Sequence, residues 1–381
     1  MLMQLALFAL IRTIFNTAYR MAYPFLGVFA RALGVDLASM SMVMSIRSFS
    51  GVLVPFIAPI ADQRGRKFGM LLGLVLFTLS MGLVVFIPTF PALAAAMFFS
   101  TLGKFIFDPA MQAYLGDRIS YAERGRAIAI TELGWSLAFV VGVPLAGFLI
   151  ARFGWIAPFP LLALLALLTF GLLVFSLPKD EPRVVQPATA KMNFRAVFSS
   201  IPAMAGLSIT LWATIGNELV NLIFGIWLED SFGLQIAALG ASAAVIGLSE
   251  VGGEGLVALL SDRLGKEHAV GYGLVLSSLT ALLLPVLGQS TLGALIGLFL
   301  FYITFEFTFV SSISMMTEIM PAARATLMAF NVATFSIGRG IGAPLGTFLY
   351  SFGFPIVVVG TVIFNIFALL ALRKIKKEVF Q

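Results

Sequence analysis

Read along its length, the chain alternates between long apolar stretches and short polar or Pro/Gly-rich breaks. A membrane-spanning helix needs about 20 predominantly apolar residues. Twelve stretches meet that measure, near 3–31, 37–61, 69–87, 91–115, 124–151, 155–176, 199–227, 235–260, 269–287, 291–316, 324–351 and 355–372. The breaks are brief, as at Ile87-Pro88-Thr89-Phe90-Pro91 and Gly353-Phe354-Pro355. Only 177–198 is long and polar, with Lys179-Asp180-Glu181-Pro182-Arg183 inside it. The pattern predicts an all-α integral membrane protein with twelve transmembrane helices in two pseudo-symmetric six-helix bundles. An N-terminal bundle over 1–176 and a C-terminal bundle over 199–381, ending in a short basic tail, flank a central cytoplasmic loop over 177–198. The first span begins almost at Met1 and holds Arg12 and Arg20, which a secretory signal core would not, so it reads as a retained helix.

Composition removes the soluble alternatives. Hydrophobic residues make up 60% of the chain and charged ones 11%, against about a quarter charged in a soluble domain. Such a chain cannot cover a globular surface with polar groups, which excludes a cytosolic enzyme. Cys is absent and His268 is the single histidine, so thiol chemistry, a disulfide framework and a multi-histidine metal centre are all unexpected. No G-x-x-x-x-G-K-[ST] motif offers a nucleotide site, and no cofactor is expected. The net charge of +6 is a matter of topology. With both termini cytoplasmic, seventeen of the 24 Lys and Arg fall in inside loops and the C-terminal tail. Arg31 and Arg152 fall outside, and five lie within spans. The expected location is a bacterial plasma membrane, the expected form a monomer in the lipid bilayer, and no nucleic-acid partner is implied.

A repeat runs through the chain at an offset of 200. Ala61-Asp62-Gln63-Arg64-Gly65-Arg66-Lys67 follows the second span, and Ser261-Asp262-Arg263-Leu264-Gly265-Lys266 follows the eighth. Arg124 and Arg324 open the fifth and eleventh spans. Gly142-Val143-Pro144-Leu145 returns as Gly342-Ala343-Pro344-Leu345. Three coincidences at one offset argue for a duplicated six-helix unit. With its twelve spans, central loop and D-x-x-G-R-K loop in two copies, the chain resembles the major facilitator superfamily. Asp62, Gly65, Arg66 and Lys67 match that family's loop signature, as do Asp262, Arg263, Gly265 and Lys266 in the second copy. Ala58 and Gln63 depart from it. The Gly-x-Pro segment of the fifth span is similar to a motif of the drug–proton antiporter branch, although Val143 stands where a Gly is usual and Met97 where an Arg is common. The resemblance implies a gating loop at these residues, with Asp62 facing the eleventh helix. Independently, a carboxylate at a helix C-terminus opposes the helix dipole and needs an outside partner.

Ionisable groups inside spans are costly unless they meet a cavity or a partner. Eleven occur: Arg12, Arg20, Arg47, Lys104, Asp108, Glu132, Glu218, Glu250, Glu254, Glu306 and Arg339. They fall in spans 1, 2, 4, 5, 7, 8, 10 and 11, and spans 3, 6, 9 and 12 have none, so every third helix is expected to face lipid. Helical spacing aligns Arg12, Asn16, Tyr19/Arg20 and Tyr23 on one stripe. Lys104, Asp108 and Gln112 form another, and Thr210, Thr214, Asn217/Glu218 and Asn221 a third. Such stripes line a cavity or join helices as polar contacts. The candidate substrate-binding residues are Arg12, Asn16, Arg20, Tyr23, Lys104, Asp108, Asn217, Glu218, Asn221 and Glu306, with Phe105, Phe107, Phe305 and Phe307 nearby. The candidate proton-coupling residues are Glu218, Glu306, Glu250, Glu254 and Asp108. Lys104 and Asp108, four apart, equally make a self-satisfied pair, and Arg339, among Gly338, Gly340 and Gly342, an interhelical ion pair. Glu250 and Glu254, one turn apart, cannot both ionise cheaply.

These features predict a secondary transporter that moves a small-molecule substrate with protons. Export of small amphipathic molecules is the working model; uptake or facilitated passage of a metabolite and a lipid-handling flippase are the alternatives. Within the spans the N-terminal half has four cations to two carboxylates and the C-terminal half one to four. The imbalance predicts a preference for zwitterionic or cationic amphiphiles, the anionic end near Arg12 and Arg20 and the cationic end near Glu218 and Glu306.

Overall fold

The structure, a computed structural model, describes residues 2–54, 64–119, 121–178, 194–320 and 323–379. Every element among them is helical: α1 Leu2–Arg20, α2 Leu26–Leu33, α3 Leu37–Phe49, α4 Arg66–Phe86, α5 Phe90–Arg118, α6 Tyr121–Leu137, α7 Val143–Phe153 and α8 Pro158–Ser176. There follow α9 Phe194–Ser199, α10 Ile201–Phe232, α11 Ile236–Leu264, α12 Lys266–Leu287, α13 Thr291–Ile319, α14 Arg324–Tyr350 and α15 Phe354–Val379. Ten of the described helices are long and apolar enough to cross a membrane, and the pair formed by α2 and the α3 segment, bent by 118°, makes an eleventh by the same measure. Arg324, Asn331 and Arg339 lie along α14, which is not among them.

The expected first span, 3–31, is broken. α1 stops at Arg20 and α2 starts at Leu26, with Met21 to Phe25 in turns. Pro24 is the cause: it has no N–H to donate, and its ring collides with the carbonyl four residues back. Tyr23 N bonds Arg20 O at 3.2 Å instead. The fifth expected span, 124–151, is α6 and α7 joined by a wide turn at Ala138–Gly142, where a Cβ on Gly142 would stand 1.9 Å from Thr17 Oγ1. Glycine is required there because α1 occupies the space.

Side-chain and glycine caps fix the other boundaries. Asp36 accepts from Ser39 N at 2.8 Å and starts α3, and Ser290 accepts from Gly293 N at 3.2 Å and starts α13. Gly65 (φ 105°) and Gly265 (φ 80°) precede α4 and α12 in backbone conformations that side chains rarely adopt. The 200-residue offset of the sequence is thus present in the backbone.

The chain divides into two compact units, 1–189 with 235–244, and 190–234 with 245–381. In the first, α4 packs on α5 and α8, and α1 on α5, α6 and α8. Gly73 and Gly103 let α4 and α5 meet backbone to backbone, since a Cβ on either would lie 2.6–2.7 Å from the other's carbonyl oxygen. In the second, α10 packs on α13, α14 and α15, and α12 on α13 and α15. Gly273 faces Thr308 there, at the position 200 residues after Gly73. Exposure follows the charge census only in part: 89% of the α10 apolar window is buried and 28% of that of α8, which has no ionisable residue, but α11, with Glu250 and Glu254, is at 33% no more buried than α15. The outward faces are apolar, with Phe86, Phe175 and Leu79 exposed, as lipid contact requires.

Candidate substrate and coupling site

In the first unit four of the six span charges form one cluster. Gly134 of α6 comes so close to α1 that a Cβ on it would lie 2.7 Å from Arg12 Cβ. That approach lets Arg12 reach Glu132, Nη1 to Oε1 at 2.6 Å, while Arg12 Nε stands 3.4 Å from Asp108 Oδ1. Lys104 Nζ donates to Asp108 Oδ2 at 2.6 Å along α5. Two cations and two carboxylates leave no formal charge.

The remaining two span arginines of this unit are held by aromatic faces. Arg20 lies 3.4 Å from the Phe139 ring centroid and 4.2 Å from that of Trp135, and donates to Trp135 O at 3.2 Å. Arg47 sits 4.0 Å from the Tyr19 ring and 5.5 Å from that of Tyr23, and its Nη1 donates to Tyr19 O at 2.7 Å. The carbonyl of Tyr19, whose helical donor Tyr23 N turns instead to Arg20 O, is thereby capped by a guanidinium. Asn16 Nδ2 donates to Gly134 O at 3.1 Å. The stripe Arg12, Asn16, Arg20 therefore meets α6 along its length, and Tyr23 is buried in the break below it. Phe107 was expected beside a ligand, but it is fully buried against Phe15, ring centroids 5.4 Å apart, and behind Gly73. It is a packing residue, because α4 covers that face of α5.

In the second unit the span carboxylates lie on α10, α11 and α13. Glu218 is 1% exposed, and its Oε2 stands 3.7 Å from Arg339 Nη1 and accepts from Asn221 Nδ2 at 3.0 Å. Tyr302 OH in turn donates to Asn221 Oδ1 at 2.9 Å. A polar chain from α14 through α10 to α13 results, and Gly342 admits it: a Cβ there would lie 2.7 Å from Glu218 Cβ. Asn217, beside Glu218, is buried with no hydrogen-bond partner at Nδ2. Glu306 is buried on α13 where Gly253 of α11 crosses, a Cβ on Gly253 falling 2.7 Å from Glu306 Cβ. Glu250 and Glu254 lie within one turn of Gly253 on α11, the first buried and the second half-buried. Of the three carboxylates, Glu306 is the one set directly against the neighbouring helix, at Gly253. Phe305 stacks on Phe309 at 5.9 Å.

The loop motifs are placed in part. Asp62 and the side chain of Asp262 lie outside the described residues. Arg66 Nε stands 3.4 Å from Asp117 Oδ2, and Lys266 pairs with Glu318. Each pair ties the start of the helix after the loop to the end of the following one. Lys67 Nζ donates to Val174 O and Leu177 O, both at 2.7 Å, and so caps α8. Arg263 is exposed. Asp117, Glu318, Tyr302, Trp135 and Phe139 are additions to the sequence candidates; the offset of 201 between Asp117 and Glu318 was the available signal for the first two. Among the described residues no three His, Cys, Asp or Glu side chains converge as a metal site would need.

The family model described as Major Facilitator Superfamily matches residues 8–215 and again 206–379. An uncharacterized MFS-type transporter of Bacillus subtilis, YceJ, is 25% identical over 310 residues, covering 81% of this chain and 79% of its own. A Pasteurella multocida protein named as a probable sugar efflux transporter is 25% identical over 368 residues, 95% of this chain and 89% of that one. Among solved structures, a bacterial homolog of the human lysosomal transporter Spinster, inward-facing and unoccupied, superposes with a TM-score of 0.80. It is 15% identical and covers 99% of this chain and 97% of its own.

Proposed function

The chain belongs to the Major Facilitator Superfamily, and from that premise we propose that it exports small amphipathic molecules across a bacterial plasma membrane in exchange for protons. It is a multi-pass membrane transporter of the secondary class, not an enzyme. The proposal adds the finer points: twelve spans in two six-helix bundles divided by the loop at 177–198, both termini cytoplasmic, a monomer, and alternating access. Export and kinship with the drug–proton antiporter branch are supported by the Gly-x-Pro segment around Pro144 and by the efflux transporter among the relatives.

One observation supports proton coupling above all. Glu218 and Glu306 are buried within helices of the second unit, Glu218 with its Oε2 3.7 Å from Arg339 Nη1 and Glu306 where Gly253 of α11 crosses α13. Carboxylates in that setting can take and release a proton at modest cost, whereas a guanidinium keeps its charge. Glu218 and Glu306 are the proposed carriers, with Glu250, Glu254 and Asp108 in support. Within the spans of the C-terminal half the four carboxylates to one cation favour zwitterionic or cationic amphiphiles over anions. Asn217 and Asn221 there, and Arg12, Asn16, Arg20, Tyr23 and Lys104 in the first unit, are the proposed polar contacts. The gating role of Asp62, Gly65, Arg66, Lys67, Asp262, Arg263 and Gly265 belongs to the same reading.

The test is flux in proteoliposomes driven by an imposed pH gradient, using a cationic amphiphilic dye and matched zwitterionic and anionic analogues. Glu218→Gln and Glu306→Gln should abolish accumulation against a gradient and retain binding. Accumulation by both variants at wild-type rates removes these residues as carriers. Dye movement down the proton gradient rather than against it turns the reading to uptake.

A further inference from the structure

A groove of about 620 Å³ opens on the outer face of the second unit, between α9–α10 on one side and α15 on the other. Its walls are apolar and exposed, among them Phe198, Met204, Phe367 and Leu370. Its floor is made of small residues: Ala205, Ser208 and Ala371 stand where larger ones would close the gap. Behind the floor, Ile209, Met315, Leu372 and Ile375 are packed as core, so the groove is held open by a rigid base. Trp212 ends it at depth, stacked on Phe364 at 5.9 Å. Lys374 lies at its other end.

Its dimensions match one leaflet. From Ile201 to Trp212 is eleven residues of α10, or about 16 Å at 1.5 Å each. Half of the bilayer hydrocarbon is about 15 Å. Lys374 therefore stands at headgroup level when Trp212 stands near the midplane. The chemistry at that level is basic: Arg195, Arg373 and Lys374 are exposed, and among the described residues no carboxylate pairs with Lys374. An apolar slot one leaflet deep with a cation at its mouth fits a lipid whose headgroup is negative.

We propose that this groove binds an anionic phospholipid, one acyl chain seated between α10 and α15 and the phosphate-bearing headgroup held at Lys374. The site needs a bilayer and nothing from the transported molecule, so its fate and that of the transport reading are decided by separate measurements.

The experiment is native mass spectrometry of the full chain in detergent, titrated with phosphatidylglycerol or with phosphatidylcholine of the same acyl composition. Phosphatidylglycerol should give a one-to-one adduct at concentrations where phosphatidylcholine gives none. Lys374→Gln should weaken it about fivefold, the worth of one basic residue near an anionic headgroup, and Lys374→Arg should preserve it. Ala371→Phe and, independently, Ser208→Phe should remove it by filling the slot; either variant that folds is sufficient. Equal binding of the two lipids with no effect of Lys374→Gln overturns the proposal. So does an adduct that survives a slot-filling variant, a dimer that those variants abolish in place of the lipid, or full displacement by inorganic phosphate.

Discussion

Neutralising Asp108 as Asn is expected to destabilise the protein more than any other single neutralisation in its cluster, and removing a second charge, at Lys104, should recover most of the loss. Asp108 faces two cations, Lys104 at 2.6 Å and Arg12 at 3.4 Å, while Glu132 faces Arg12 alone at 2.6 Å. In Asp108→Asn both cations remain, nearly out of solvent, with one carboxylate between them. Breaking a buried pair in this way costs about 3–5 kcal/mol, mostly from the charge left uncompensated. The side chain of Glu132 is 39% exposed, so Glu132→Gln belongs with partly solvated pairs, at about 1 kcal/mol or less. Arg12→Gln falls between, because Lys104 still holds Asp108 and water still reaches Glu132. Lys104→Gln with Asp108→Asn leaves Arg12 and Glu132, net zero, and should sit about 1–2 kcal/mol below wild type. The assay is the unfolding midpoint of detergent-purified protein at one fixed scan rate, which ranks variants even where unfolding is irreversible. If Asp108→Asn is no worse than Glu132→Gln, or if the double variant is as unstable as Asp108→Asn alone, the cluster is not held by charge balance and the reasoning fails.

Three further outcomes are expected. Tyr302→Phe removes the donor to Asn221 and should cost about 1 kcal/mol; in flux it should shift the pH dependence, and an unchanged profile would detach Tyr302 from the coupling chain. Gly253→Ala puts a Cβ 2.7 Å from Glu306 Cβ and 2.9 Å from Ile303 O, forcing α11 and α13 apart at about 1–3 kcal/mol. Gly255→Ala, with nothing within 4 Å, should be neutral or stabilising by up to about 1 kcal/mol; equal midpoints for the two would refute the close crossing. Lys67→Gln frees the carbonyls of Val174 and Leu177, and amide exchange in the last turn of α8 should rise at least several-fold while that of α5 stays level.

The parts of the molecule that were legible beforehand are those set by local or periodic signals. Gly65 and Gly265 stand 200 apart and both take left-handed backbone. The glycines around Arg339 announced close helix approach, and Arg339 does meet Glu218 across helices. Charge-free span 6, α8, is the most exposed of the described spans, although α11, with its two glutamates, is as exposed as α15, which carries charge-free span 12. Other features depend on the fold bringing distant residues together. That Arg12 is shared by Asp108 and Glu132 could not be read from residues 96 and 120 positions away. The rings that hold Arg20 come from α6 and the wide turn after it, and those that hold Arg47 from α1 and the break, so neither set adjoins its arginine in sequence alone. The first span looked continuous because its hydropathy is; Pro24 was in view, and its effect on a helix inside a bundle depends on whether neighbours supply the missing donors. Here Arg47 does.

The ion pairs between distant spans have a bearing on how the chain is made. Arg12 meets Glu132 after 120 further residues (132 − 12), and Glu218 meets Arg339 after 121 (339 − 218). At about 5–20 residues per second of synthesis, each group waits roughly 6–24 s for its partner. The two waits differ in kind. A glutamate can enter the bilayer protonated and give up its proton once α14 arrives, whereas an arginine stays charged throughout. Biogenesis therefore has its hardest moment at the beginning, with Arg12 and Arg20 on the first helix and no carboxylate yet synthesised within a span. Helix α1 is expected to linger at the insertion machinery until α5 and α6 emerge, and nascent chains halted before Asp108 should remain extractable by alkali while those halted after Glu132 resist it.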